Sequence, residues 1–286
     1  MLCDIIIGEK GNERMKVLGQ IITFLDSDMP EPTLYGWFHL LFLAITIIVA
    51  ILLIKKFKNP SEKTVRKILM IFAAVSLTLE VYKQFNYTFS YDGAVINADY
   101  QWYAFPFQFC STPMYIGLLA ALIKNKKIHN ALCIYLASFS VFAGICVMAY
   151  PAQVFIDTIG INIQTMICHG AMISIGVWLL CCDYIKFDRR SILSGASVFG
   201  VMILIASVMN EIAYFTGLLE SESFNMFYIS PHCDPSLPVY SLVQEVIPFP
   251  LCLIVYFLAF SIASYLILLI PNLKKKTTLS KEKQKV

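Results

Sequence analysis

Apolar residues dominate seven stretches of the chain, near 35–56, 66–88, 103–123, 129–150, 161–184, 191–217 and 240–270. Each is about as long as the roughly 20 helical residues needed to cross a 30 Å hydrocarbon core. The polar connections between them sort by charge. Lys55, Lys56, Lys58, Lys63, Arg66 and Lys67 follow the first stretch; Lys124, Lys126 and Lys127 follow the third; Lys186, Arg189 and Arg190 follow the fifth; and NLKKKTTLSKEKQKV follows the seventh. The alternate connections, 89–102, 151–160 and 218–239, contain neither lysine nor arginine. Because basic loops stay on the cytoplasmic side, this alternation predicts an all-α, seven-transmembrane-helix bundle with its N-terminus outside and its C-terminus cytoplasmic.

Residues 1–34 then form an outer segment, 35–270 the membrane domain and 271–286 a basic cytoplasmic tail. The stretch VLGQIITFLDSDMPEPT, a short apolar patch ended by acids and prolines, suits an interfacial helix on the outer face. The start MLCDIIIGEKGNERMK carries acids and no uninterrupted apolar core, so the first span is expected to act as its own targeting signal.

Composition supports this picture. With 58% hydrophobic and 14% charged residues, and a mean hydropathy of +0.70, an ordinary soluble protein is excluded. The net charge of +3 adds little beyond the order of the lysines, and no nucleic-acid partner is expected. Nine cysteines show no Cys-x-x-Cys or Cys/His ligand spacing, which argues against a zinc site or a disulfide framework. Cys133, Cys146, Cys181, Cys182 and Cys252 fit a packing role, as does Cys168, expected on a different helix face from His169. The row His232, Cys233, Asp234 lies in a proline-rich turn, where adjacent residues rarely converge on one metal. That turn is expected to cap the bundle.

With orientation assigned, a rise of 1.5 Å per residue gives each polar side chain a depth. The outer halves carry His39, Glu80, Lys83, Gln84, Gln108, Cys110, Thr165, His169, Asn210, Glu211, Gln244 and Glu245. Ionisable groups at membrane depth cost about 2.5–3.5 kcal/mol each on insertion scales and normally face the bundle interior. Buried polar groups also join helices at about 0.6–2 kcal/mol per hydrogen bond, so a Glu80–Lys83 pair alone would fit that role. The whole layer instead predicts a polar cavity open towards the non-cytoplasmic side.

The candidate chemistry in that layer centres on FPFQFCSTPMY, residues 105–115. Pro106 and Pro113 flank Cys110 and are expected to bend the third helix around it. A nearby imidazole, His169 of the fifth span, would make the thiol a nucleophile towards an acyl ester. Gln108 would offer an oxyanion-hole N–H, and Glu80, Glu211 or Glu245 could orient the imidazole. Gln84, Asn210 and Gln244 complete the expected polar lining. No Gly-x-Ser-x-Gly, phosphate loop or His-Glu-x-x-His motif occurs.

FPFQFCSTPMY, ICHGAMISIGVWLL and SFNMFYISPHCDPSLPVYSLVQEVIPFP together resemble the YwaF-like integral membrane proteins of bacteria, over about Trp37 to Leu269. Gln108 stands where that family has a histidine before the cysteine, Ser230-Pro231 where it has Lys-Pro, and Ile247-Pro248-Phe249-Pro250 where it has Gly-Pro-Trp-Pro. YwaF-like proteins are similar to eukaryotic transmembrane acyltransferases that remodel ether phospholipids. The resemblance implies that Cys110 carries an acyl group and His169 activates it. It also implies a multi-pass protein of a bacterial plasma membrane, acting on a phospholipid or lysophospholipid without a cofactor. A non-enzymatic alternative, a transporter or receptor binding a small polar solute, fits the same layer, with Glu80 or Glu211 carrying a coupling proton. Fold alone does not decide between them.

Overall fold

A computed structural model describes residues 9–185, 187–188, 190–217, 224–234 and 238–283 of the chain, so Lys186 and Arg189 lie outside the described residues. Helix α1 (Glu9–Leu25) precedes α2 (Trp37–Lys56) and α3 (Glu62–Asn86). A short antiparallel hairpin, β1 (Phe89–Tyr91) with β2 (Ile96–Ala98), leads to α4 (Thr112–Leu122). Helices α5 (Lys126–Tyr135) and α6 (Val141–Ala149) run on through a π turn, Leu136–Ser140. Then come α7 (Ile159–Cys181), α8 (Ser191–Thr216), α9 (Pro238–Val246) and α10 (Phe249–Lys283).

Among the described residues five helical segments are long and apolar enough to cross a membrane: α2, the run Lys126–Ala149, α7, α8 and the part of α10 from Phe249 to Ile270. Their burial separates a protein-facing side from a lipid-facing one. Helix α2 buries Phe38, His39, Phe42, Thr46 and Ala50, at helical spacing, while Leu41, Ile45, Ile48 and Leu52 face outwards. Contiguous apolar surface of this extent is unfavourable in water and natural in lipid. The central layer is α7, whose walls are α2 on one side and α3 and α6 on others.

Three predicted spans differ from expectation. The stretch 66–88 is helical as part of α3, but the charged residues Glu62, Lys63, Arg66 and Lys67 at that helix's start, the buried Glu80 and the half-buried Lys83 keep the helix from being an apolar span by composition. The stretch 103–123 is not one bent helix. Trp102–Ala104 is a single 3-10 turn, the chain then runs irregularly, and α4 begins only at Thr112 with Pro113 in its first turn. Proline lacks the N–H that a helix interior needs but suits the first turn, where that N–H would be unsatisfied anyway. Similarly, the stretch 240–270 is broken at Pro248, whose carbonyl starts α10 by accepting from the N–H groups of Leu251 and Cys252.

The ends of the bundle separate chemically. At one end Met29 N–H donates to Asp157 O (2.6 Å), Ile159 N–H to Ser27 O (3.0 Å), and the Tyr82 hydroxyl to Leu25 O (2.7 Å). These bonds gather α1, the hairpin side and the 151–158 loop, which hold no lysine between Pro151 and Thr158. At the other end Trp178 donates its indole N–H to Phe57 O (2.9 Å), and Arg66 donates to the carbonyls of Ala120, Ala121 and Ile123, the last at 2.8 Å. Arg66 thereby satisfies α4's C-terminal carbonyls, and its positive charge complements the negative end of that helix dipole. Caps at this end are local: Ser61 accepts from Thr64 N–H and starts α3, and Asn125 accepts from the Lys127 and Ile128 N–H groups and starts α5.

Candidate functional site

Between α3, α4, α6, α7 and α10 lies a cavity of about 800 Å³. Its mostly apolar wall includes Phe72, Met114, Met172 and Phe260, and Cys110, Glu80, Lys83, Gln108, Thr165, Cys168 and His169 supply the polar part. A large apolar pocket with a few convergent polar groups is the usual form of a small-molecule site.

Cys110 reaches this cavity because its backbone is not helical. Residues 105–111 make turn bonds only: Phe107 N–H to Phe105 O at 2.7 Å and Ser111 N–H to Gln108 O at 2.9 Å. The Tyr115 hydroxyl returns to Pro106 O at 3.0 Å. Irregular backbone within a membrane protein is tolerated where it is buried in protein or lines a cavity, and both hold here. The Cys110 thiol is half-buried, and the Ser111 hydroxyl lies within hydrogen-bonding reach of it.

His169 enters from α7. Its Nδ1 lies 2.7 Å from Thr165 O, a carbonyl that can only accept, so Nδ1 carries the proton. Nε2 is therefore the nitrogen with the free lone pair. It is buried and has no hydrogen-bond partner among the described residues. No hydrogen bond joins it to Cys110 among the described contacts; the two residues share a cavity wall.

Glu80 and Lys83 form the charged part of the wall, 2.8 Å apart on consecutive turns of α3, with Glu80 only 5% exposed. Lys83 is the one cation among the described residues lining the cavity, within electrostatic reach of both Cys110 and His169. Gln84 holds Glu80 from behind: its Nε2 donates to Glu80 Oε1 (2.7 Å) and Ala104 O (2.8 Å), and its Oε1 accepts from the Tyr100 hydroxyl. Removing one partner from a buried ion pair strands the other, so this network fixes a charge arrangement that neither group could hold alone.

Several polar residues of the expected layer face elsewhere. Gln108 lines the cavity, yet its Nε2 donates to Asn225 O (3.0 Å) and Tyr103 O (3.4 Å), and its Oε1 accepts from Phe227 N–H (3.0 Å). That amide clamps a loop and keeps no free N–H for an oxyanion. Asn210 does the same one residue away, with Nδ2 on Met226 O (3.1 Å) and Oδ1 on Met226 N–H (2.8 Å). The clamped loop, 224–230, buries Phe224, Met226, Phe227 and Ile229 and puts Tyr228 on the cavity wall, with Phe227 and Tyr228 both at positive φ. Glu211 lies off the cavity lining, where its Oε2 meets His232 Nε2 at 3.1 Å and His232 stacks on Tyr214. Gln244 lies on α9, off the cavity wall, and the side chain of Glu245 lies outside the described residues. His39 bonds through both ring nitrogens, to Tyr35 N–H (3.0 Å) and Met148 O (2.9 Å), and joins α2 to α6. Depth along a helix does not fix the direction a side chain faces, which is why one layer in sequence divides into a cavity wall, two loop clamps and a helix joint.

Two cysteines assigned to packing line the cavity instead, Cys146 and Cys168. For Cys168 the signal was present: Thr165, Cys168 and His169 stand at i, i+3 and i+4, one face of a helix. The cysteine that does touch a histidine is Cys133, at the lysine-rich end, with its Sγ 3.6 Å from His129 Nε2; that nitrogen also meets the Tyr184 hydroxyl at 2.9 Å. Among the described residues no three His, Cys, Asp or Glu side chains converge as metal ligands.

The helices that wall this cavity coincide with a recognised sequence unit, since a family model for the TMEM164 family matches residues 34–268. The chain belongs to the TMEM164 family. The match runs from just before α2 into α10 and so takes in the whole cavity wall, and it identifies this TMEM164-family chain as a membrane protein. No curated protein and no solved structure matches it.

Proposed function

We propose that this TMEM164-family protein is a membrane-embedded lipid acyltransferase or thiol-dependent lipid hydrolase working through Cys110 and His169. The observation that carries the reading is the bare, unpartnered Nε2 of His169 on the wall of the cavity that Cys110 also lines. In the reaction, Nε2 takes the proton of the Cys110 thiol as the sulfur attacks the ester carbonyl of a phospholipid. Collapse of the tetrahedral adduct breaks the ester C–O bond, and the imidazolium returns the proton to the departing lysolipid oxygen. An acceptor hydroxyl, or water, then attacks the thioester, giving its proton to Nε2, and the thiolate leaves and is reprotonated. No cofactor enters this sequence. Sulfur and imidazole must close on each other before the first step, because apo sites commonly tighten only with substrate in place.

The finer assignments belong to the same reading. In this reading helix α3 and the segment through α4 cross the membrane with the five apolar helices, giving seven spans with the N-terminus outside, and the membrane is a bacterial plasma membrane, a reading supported by the sequence blocks that resemble YwaF-like proteins. A membrane-impermeant maleimide added to intact cells should label Val95→Cys and spare Lys126→Cys; the reverse pattern overturns the orientation.

The chemical test is labelling by a thiol-reactive acyl-lipid probe in nanodiscs. Cys146 and Cys168 share the cavity and so control for access. Selective labelling of Cys110 over both, slowed about 10²–10⁴-fold in His169→Ala, is the expected result. Equal rates at the three cysteines would refute thiol activation and turn attention to solute binding in the same cavity.

A further inference from the structure

A second hollow, of about 670 Å³, opens at the lysine-rich end of the bundle and is independent of the proposed chemistry. It exists because α2 and α3, though consecutive, each pack on α7 and scarcely on each other. Val49 and Leu53 of α2 form one wall, Ile68, Ile71 and Val75 of α3 the other, and α7 the floor. The floor's one hydroxyl, Ser174, already donates to Thr46 O (3.0 Å) and Gly170 O (2.9 Å), so the floor offers an intruding acceptor no free side-chain donor.

The rim is different. Lys63 and Lys67 line the mouth, one helical turn apart on one face of α3, both exposed, and neither belongs to an ion pair among the described residues. The nearest acid on the same turn, Glu62, is held by Arg66 at 2.9 Å. An apolar slot the length of two or three helical turns, closed at the level of the membrane surface by two uncompensated ammonium groups, matches one ligand chemistry: an acyl chain attached to an anionic phosphate headgroup. The volume falls within the roughly 300–1,000 Å³ of specific ligand sites, and basic clusters at the end of a membrane helix are a recurrent headgroup contact.

We propose that the α2–α3 groove is a binding site for one anionic glycerophospholipid from the leaflet at the lysine-rich end, with its phosphate held by Lys63 and Lys67 and one acyl chain lying between Leu53 and Ile71.

Native mass spectrometry of the delipidated full chain tests this, with phosphatidylglycerol, phosphatidylcholine and inorganic phosphate as the added probes. One phosphatidylglycerol should be retained under conditions that strip phosphatidylcholine. The double variant Lys63→Gln/Lys67→Gln should weaken that retention about 30-fold, since each lysine near a membrane surface contributes about a factor of five. Lys126→Gln/Lys127→Gln, at the same end but outside the groove, should keep it. Ile71→Trp, which fills the slot and leaves the charges, should lose it as well. The proposal is overturned if phosphatidylcholine is held equally, if the Lys126/Lys127 control loses the lipid to the same degree, or if phosphate displaces it at equal concentration, which would mark a simple anion site. Both lysine pairs are exposed, so folding of these variants is not at stake.

Discussion

Gln108 and Asn210 together make a buried loop affordable. Residues 225–227 lie in a single 3-10 turn that leaves Met226 N–H and Phe227 N–H without a local acceptor, and the two side-chain amides bond these and the carbonyls of Asn225 and Met226. An unpaired buried N–H or C=O costs about 1–3 kcal/mol. Gln108→Leu, which keeps the volume and strands Phe227 N–H while leaving Asn225 O its bond from Tyr228 N–H, should therefore destabilise the protein by about that amount. Thermal unfolding in detergent would show it, with protease cleavage appearing first within 224–234; an unchanged melting profile would mean that the clamp is dispensable. Sequence reasoning found both residues polar and deep but assigned them to the cavity. Their partners are backbone atoms more than a hundred residues away for Gln108 and sixteen away for Asn210, and no local spacing encodes such a bond. The Thr165–Cys168–His169 face, set by helical periodicity alone, could be read directly.

At the scale of elements, the long apolar helices were legible because length and composition determine them, whereas 103–123 was misread because its apolar residues conceal how its prolines act. Pro113 begins a helix instead of bending one, and the irregular turns it leaves upstream are what expose Cys110. The π turn at Leu136–Ser140 is another feature without a hydrophobic signature. Gly176 of α7 lies against it so closely that a Cβ there would sit 2.5 Å from Leu136 O and clash with the Val141 side chain. A backbone carbonyl cannot swing away as a side chain can. Gly176→Ala should accordingly force α7 from the π turn, at a cost of about 1–3 kcal/mol, and the lowered thermal midpoint should exceed that of Gly200→Ala, where the added methyl meets only Phe257 at 3.5 Å. Equal midpoints for the two would show that the helices have slack at this crossing.

Considered as a whole, the molecule keeps its two chemistries at opposite ends. Tyrosines, the Glu80–Lys83 pair and the Cys110–His169 wall lie towards the end that contains the hairpin, and unpaired lysines lie at the other. Loop charge alone made this polarity readable from sequence, since it requires only that alternate connections share an end. The polar cavity was signalled by its layer of ionisable residues, but the α2–α3 groove could not be read, because an apolar hollow is a property of helices failing to touch. One side chain, Phe72 of α3, belongs to the walls of both hollows and is itself only 5% exposed. Its ring is thus a wall that the cavity and the groove share. Phe72→Ala, reconstituted in dye-loaded liposomes, should leak measurably faster than the parent protein, and an unchanged efflux rate would place the seal elsewhere. Cutting the shared ring back to a methyl group would let two separate hollows run into one space.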